Sequence, residues 1–469
     1  MAASTITHSN VWSKLRLVSI GGVALTILVS VAYWGGAAKL DLLFFVGVAV
    51  LSGLILIFGL LTWWLYLSPA PPGETGRVDS RSAMVRQGVG ILAVVSGLLF
   101  VTGATWDEAW HRLYGVGATI DDFLWPPHKL LYGSMALSAV FAAGGMLLMA
   151  RRQGDIRQRF RAEPLIGMLA LASAFLAFSA PSDYLWHLIY GLDITGWSLP
   201  HILITSGAAL VMLTTAAILL SQLPRREWRG LGQLRFQEVL AIIMIGASMM
   251  ALTQAAATEW DGITVVGGPT APATFWARPE WLYPVVILSV SVFFSAFALH
   301  ATRRAGCATL AMLTALGLRA LFLALTGIWG ARTGTGLNAH LLMILPAMAL
   351  DGWYAVRARQ AESNATLVGG NLIAAAFFLV TGLPAISALM VYPRINISTV
   401  PAMAVFGFLM ALWCGWVGAR FGNWMGTLGR QTDTVEAVNP RVVWIGVGSL
   451  ALFATVTVIY MLTAKPPTV

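Results

Sequence analysis

A chain of 469 residues in which 58% are hydrophobic and only 10% charged, with the apolar residues gathered into long runs, excludes a water-soluble domain of this size. It reads as an all-α polytopic membrane protein. The formal net charge of +9 sits in short connections between the runs rather than in a soluble basic module, so nucleic acid is excluded as a partner and the lipid bilayer is the expected one.

A window of about 20 residues marks about thirteen predicted spans, at 17–33, 42–67, 85–105, 129–150, 165–180, 202–221, 239–257, 282–299, 308–329, 341–355, 367–390, 401–419 and 443–462. The connections alternate in charge. Lys14 and Arg16 precede the first span, Arg77, Arg81 and Arg86 follow the second, and five arginines from Arg151 to Arg161 follow the fourth. The sixth, eighth, tenth and twelfth are likewise followed by arginines. Positive charge is retained on the cytoplasmic side, which predicts a bacterial inner-membrane protein with a cytoplasmic N-terminus and a periplasmic C-terminus. The polar first dozen residues carry no cleavable signal pattern, so 17–33 is expected to be a retained span.

Four regions follow: an N-terminal transmembrane hairpin and cytoplasmic loop (1–84), a duplicated hairpin region (85–235), degenerate repeat hairpins (236–360) and C-terminal helices (361–469). The duplication is the strongest signal. Asp107-Glu108-Ala109-Trp110-His111-Arg112-Leu113-Tyr114-Gly115 recurs as Asp183-Tyr184-Leu185-Trp186-His187-Leu188-Ile189-Tyr190-Gly191. The first copy runs on through Asp121 and Trp125 to Pro127-His128, the second through Asp193 and Trp197 to Pro200-His201. Four of the chain's seven histidines occupy these matched places.

Helical spacing gives the pattern a meaning. Asp107 and His111 are four apart, as are Asp183 and His187, so on a continuing helix each pair shares one face. Prolines suit the start of the next helix, which places His128 and His201 in a first turn, and an antiparallel hairpin brings the two ends together. Two imidazoles and a carboxylate are sufficient to hold copper, zinc or iron(II) with positions left open. Both sets are expected on the periplasmic side, where such groups are costly at a membrane boundary unless paired or ligating.

Around the ligands, Asp121 and Asp193 are candidates for orienting an imidazole and Tyr114 and Tyr190 for donating a hydrogen bond to a bound oxygen species. Trp110, Trp125, Trp186 and Trp197 are expected to pack and hold the loop, and Glu108 to pair locally with Arg112. A fainter echo, Glu259-Trp260-Asp261 followed by Pro279-Glu280, stands on the same side, and so does His340; Glu259, Asp261, Glu280 and His340 are possible additional site residues. His8 and His300 are expected to be solvated. Cys307 and Cys414, in apolar surroundings, are expected to be small buried residues.

Asp183 to His187, with Asp193 and Trp197-Ser198-Leu199-Pro200-His201, resembles the metal-binding segment of the C subunit of copper-dependent particulate methane and ammonia monooxygenases. In that family an Asp, a His four residues on and a later His beyond a Pro-containing turn hold copper, and a second set lies one hairpin away. The resemblance covers about residues 85–221. It implies Asp183, His187 and His201 as one metal set and Asp107, His111 and His128 as its neighbour. It further implies a copper-binding, monooxygenase-like oxidoreductase subunit, partnered by other membrane subunits or a periplasmic electron donor. The departures are that both copies here carry Asp where one family set has Asn, that the chain has about twice the spans expected of that subunit, and that no cupredoxin-like domain accompanies it. Non-haem iron or zinc in place of copper, a metal-ion or small-solute permease, a bis-histidine haem subunit and a structural subunit are the competing expectations.

Overall fold

The computed structural model describes residues 42–68, 80–114, 124–151, 154–190, 196–224, 227–230, 232–257, 279–326, 337–389, 395–428 and 440–464. Within them the chain forms α1 (Leu42–Thr62, continued by a π-helical turn, Trp63–Leu67), α2 (Ser80–Tyr114), α3 (Pro126–Ala150), a short α4 (Ile156–Ala162), α5 (Pro164–Tyr190), α6 (Leu199–Ser221) and α7 (Phe236–Ala256). The second half adds α8 (Leu282–Thr302), α9 (Cys307–Leu325), α10 (Asn338–Val356), α11 (Asn364–Leu389), α12 (Val400–Thr427) and α13 (Pro440–Thr463). Twelve of these helices are long and apolar enough to cross a membrane. They answer twelve of the expected spans; the first expected span, 17–33, lies outside the described residues. The protein is a multi-span, all-helical membrane protein.

Lipid offers the backbone no hydrogen-bond partner, so each span satisfies its own amides as a helix. Hydroxyls inside the spans fold back onto the preceding turn for the same reason: Thr102 donates to the Leu98 carbonyl, Thr105 to Val101, Thr215 to Val211 and Thr253 to Met249. Small residues also join one helix to another by close backbone approach. On α12, Gly422 and Gly426 lie so close to α8 that an added Cβ would stand 2.5 Å from the Phe297 carbonyl oxygen and 3.0 Å from that of Ala301. The two backbones meet directly, as small-xxx-small faces allow in bilayers. In the duplicated hairpins, Gly207 of α6 abuts the Leu176 backbone of α5, and Ser96 of α2 bonds the Ser134 carbonyl and Ser138 hydroxyl of α3.

Successive spans alternate in direction, and cross-connections show which helix ends lie together. At the end carrying the two motifs, Trp197 at the head of α6 donates to the Ala256 carbonyl of α7 at 2.9 Å. At the opposite end, the Arg229 amide donates to the Arg303 carbonyl and the Ala305 amide to that of Arg229. Arginines at this end stitch the bundle together. Arg304 pairs with Glu238 at 2.9 Å, both side chains buried. Arg161 covers the last turn beyond α1 by donating to the Leu65 and Ser68 carbonyls, groups that a helix C-terminus leaves without intrahelical partners. Asp351 of α10 accepts from the Gly306 and Thr309 amides and caps α9. Cys307 and Cys414 are both buried.

Candidate metal centre

The duplicated motif is helical, and further than its hydropathy implies. The expected span 165–180 is shorter than α5, which continues through Pro181 to Tyr190. Proline there removes one backbone donor without ending the helix, and Asp183 and His187 come to lie one turn apart on the same face. Ser198 then caps α6, its hydroxyl accepting from the His201 amide at 3.4 Å, with Pro200 in the first turn. The turn is held from behind. Gly196 sits against the Ala255 backbone, where a Cβ would come within 2.8 Å of its carbonyl oxygen, and Trp197 is anchored on Ala256. Trp186 packs with Phe175, Leu199 and Leu203.

Three ligand-type side chains meet as a result. Asp183, His187 and His201 each offer one atom to a common cluster whose atoms lie within 4.8 Å of one another. The Asp183 Oδ1 is 3.6 Å from His187 Nε2 and 3.4 Å from His201 Nε2. A charge-assisted hydrogen bond would be shorter, about 2.7–2.9 Å. With metal–ligand bonds of about 2.0–2.1 Å, neighbouring ligand atoms stand about 2.9–3.4 Å apart in octahedral or tetrahedral geometry. The 3.4 Å edge reaches the top of that range and the 3.6 Å edge lies just beyond it; the donor set suits a first-row ion by its chemistry. All three side chains are partly buried.

In the first copy, α2 extends through Asp107 and His111, and α3 opens on Pro126-Pro127 with His128 in its first turn. His128 Nε2 lies 2.9 Å from Asp107 Oδ1, a hydrogen-bond distance. The side chain of His111 lies outside the described residues, as do those of Tyr114 and Tyr190. Asp121, Asp193, Glu259 and Asp261 also fall outside them. Glu280 stands just before α8, and neither it nor His340 joins the Asp183 group. Trp110 meets Trp106 edge-on at 5.6 Å, and Trp125 stacks on His128.

The Glu108 carboxylate reaches across the bundle to the guanidinium of Arg319 on α9, at 2.6 and 2.8 Å, and accepts from Gln254 of α7; the side chain of Arg112, its expected local partner, lies outside the described residues. The chain turns Glu108 inward because Asp107, one residue earlier, faces α3. His300 is not simply solvated. Its Nε2 lies 3.0 Å from the Tyr354 hydroxyl and its ring meets Trp228 edge-on. Sequence reasoning missed Arg319 and Asp351, although each is a lone charge within an apolar run, which is itself a signal.

No protein-family model, curated protein or solved structure matches the chain significantly.

Proposed function

We propose that Asp183, His187 and His201 hold a transition-metal ion in a membrane oxidoreductase, with copper favoured and non-haem iron or zinc the other candidates. The observation that carries this is the convergence of one carboxylate and two imidazoles from α5 and α6, each offering a ligand atom within 4.8 Å of the others. The resemblance to the copper monooxygenase C subunit supports the choice of metal and reaction class, and the repeated motif extends the reading to Asp107, His111 and His128.

A bound copper ion supplies one-electron redox chemistry and affinity for dioxygen. The chain supplies the rest. The Asp183 carboxylate offsets positive charge in a medium where an unpaired ion is costly. The α5 helix holds His187 in register with that carboxylate, and Ser198 and Pro200 hold the first turn of α6 so that His201 faces both. Trp186, Leu199 and Leu203, neighbours of the ligands in sequence, pack with Phe175 into a buried apolar cluster. A small or lipophilic substrate would approach from the membrane side, where Tyr184, Leu185 and Leu188 of α5 are exposed. Electrons would come from another subunit or a periplasmic donor.

Metal content of the purified, loaded protein, read by mass spectrometry and electron paramagnetic resonance, tests this. Copper bound by the parent chain should show nitrogen hyperfine structure, and His187→Ala and His201→Ala should each lose that site. His128→Ala reports independently on the first copy. Metal content that stays unchanged in both His187→Ala and His201→Ala removes the proposal.

A further inference from the structure

We infer that the end of the bundle opposite the Asp183 cluster carries a binding pocket for a phosphate-type oxyanion. A cavity of about 270 Å³ opens there between the end of α8, the turn from α10 into α11, and α12. Its polar lining includes His300, Arg303, Glu362, Ser363, Asn364 and Arg420. A water occupies roughly 30 Å³, so there is room for a phosphate bearing a glycerol-sized substituent.

The lining is built for negative charge. Arg303 closes α8 in the left-handed conformation, at φ 55°, and is the one non-glycine residue with positive φ among the described residues. Such a conformation costs backbone energy and persists where the surroundings over-determine it. Here the surroundings do so: the Arg303 amide bonds Leu299, and its carbonyl accepts from the Arg229 amide. The result turns a largely buried guanidinium into the cavity, where it meets the mostly exposed carboxylate of Glu362 at the mouth. Arg420 enters from α12 and bonds the Asn364 side chain at 3.3 Å. Both guanidiniums lie within electrostatic reach of His300. Two cations therefore face one carboxylate.

A third source of positive potential is the start of α11, a helix of 26 residues. The Ser363 hydroxyl accepts from the Thr366 amide, and the remaining first-turn amides point out of the helix end. Planar guanidiniums beside a helix N-terminus match phosphate oxygens in both charge and geometry. The phosphate has two plausible sources. One is a free phosphate or phosphomonoester. The other is the headgroup of an anionic lipid whose acyl chains lie along Val368 and Leu372, exposed on α11 beside the cavity. This site does not depend on the metal reading.

The test uses the purified full-length chain. Inorganic phosphate is titrated calorimetrically, and lipid retention is read by native mass spectrometry with phosphatidylglycerol against phosphatidylcholine. Saturable binding of phosphate alone identifies a soluble ligand, and preferential retention of phosphatidylglycerol alone identifies a lipid; binding of both shows that the pocket reads the shared phosphate group. In each case Arg303→Gly, which accepts the left-handed backbone, and Arg420→Ala should weaken binding about tenfold or more, an apparent loss of about 1.4 kcal/mol or more. Glu362→Gln, which removes the competing carboxylate, should tighten it. Circular dichroism and gel filtration check that each variant is folded, and Arg420, on the helix surface, serves if Arg303→Gly is not. No saturable binding of either probe, or binding that neither arginine variant weakens, overturns the inference.

Discussion

At the scale of single residues, the most consequential contact outside the Asp183 cluster is the pair between Glu108 and Arg319. Arg319 is fully buried and Glu108 partly so. Removing one member leaves the other as an uncompensated charge in the bundle, which costs about 3–5 kcal/mol, whereas replacing both with neutral groups is far less damaging. Arg319→Leu should therefore lower the thermal unfolding midpoint sharply in detergent, and Glu108→Gln with Arg319→Leu should recover most of the loss. Losses that simply add in the double variant would show that the two side chains do not depend on each other. Arg319 was visible in the sequence as an isolated charge in an apolar run, but its partner was not. Glu108 lies 211 residues away in sequence, and only the packing of α2 against α9 brings the two together. His340 belongs to the same neighbourhood: it is wholly buried near this pair, and neither ring nitrogen has a hydrogen-bond partner among the described residues.

At the scale of helices, hydropathy was a good guide to existence and a poorer one to extent. The window ends the fifth span where Pro181, Ser182 and Asp183 reduce its mean hydropathy, yet the helix continues for nearly three more turns, to Tyr190, because backbone hydrogen bonding does not depend on side-chain polarity. The site depends on that continuation, which the spacing of Asp183 and His187 anticipated. The α8–α12 seam was not legible. Gly418, Gly422 and Gly426 recur every four residues in the sequence, but nothing there says that α8 is the surface they meet. An alanine at Gly422 would force its methyl into the Phe297 carbonyl. Overpacking of this kind costs about 1–3 kcal/mol, and a larger side chain should separate the two helices. Gly422→Ala should lower thermal stability and Gly422→Leu should yield chain that elutes as aggregate. A Gly422→Leu variant as stable as the parent would mean that the close approach is not required. Because Arg303 and Arg420 stand on either side of this seam, Gly422→Ala should also weaken phosphate binding.

For the whole molecule, direction across the membrane is what assigns each end a chemical environment. The Asp183 cluster and the arginine-lined cavity lie at opposite ends of the same bundle, so one must face the compartment that the other does not. Charge in the connections predicts that the arginine-rich end is cytoplasmic, and the ion pairs there show that many of these arginines also have structural work, as Arg304 and Arg161 do. The two roles are compatible, but the second weakens counting charge as a proof of direction. A direct measurement is available because Cys307 and Cys414 are buried and give little background labelling. Leu124 is exposed at the motif end, and a side chain at Gly230, at the other end, would meet nothing within 4 Å. A membrane-impermeant thiol reagent should label Leu124→Cys in intact cells, and Gly230→Cys only after permeabilisation. The reverse pattern would put the Asp183 cluster in the cytoplasm, where a periplasmic electron donor has no access, and would turn the phosphate pocket outward; the geometry of both sites would stand while the supply of electrons and of phosphate would have to be assigned anew.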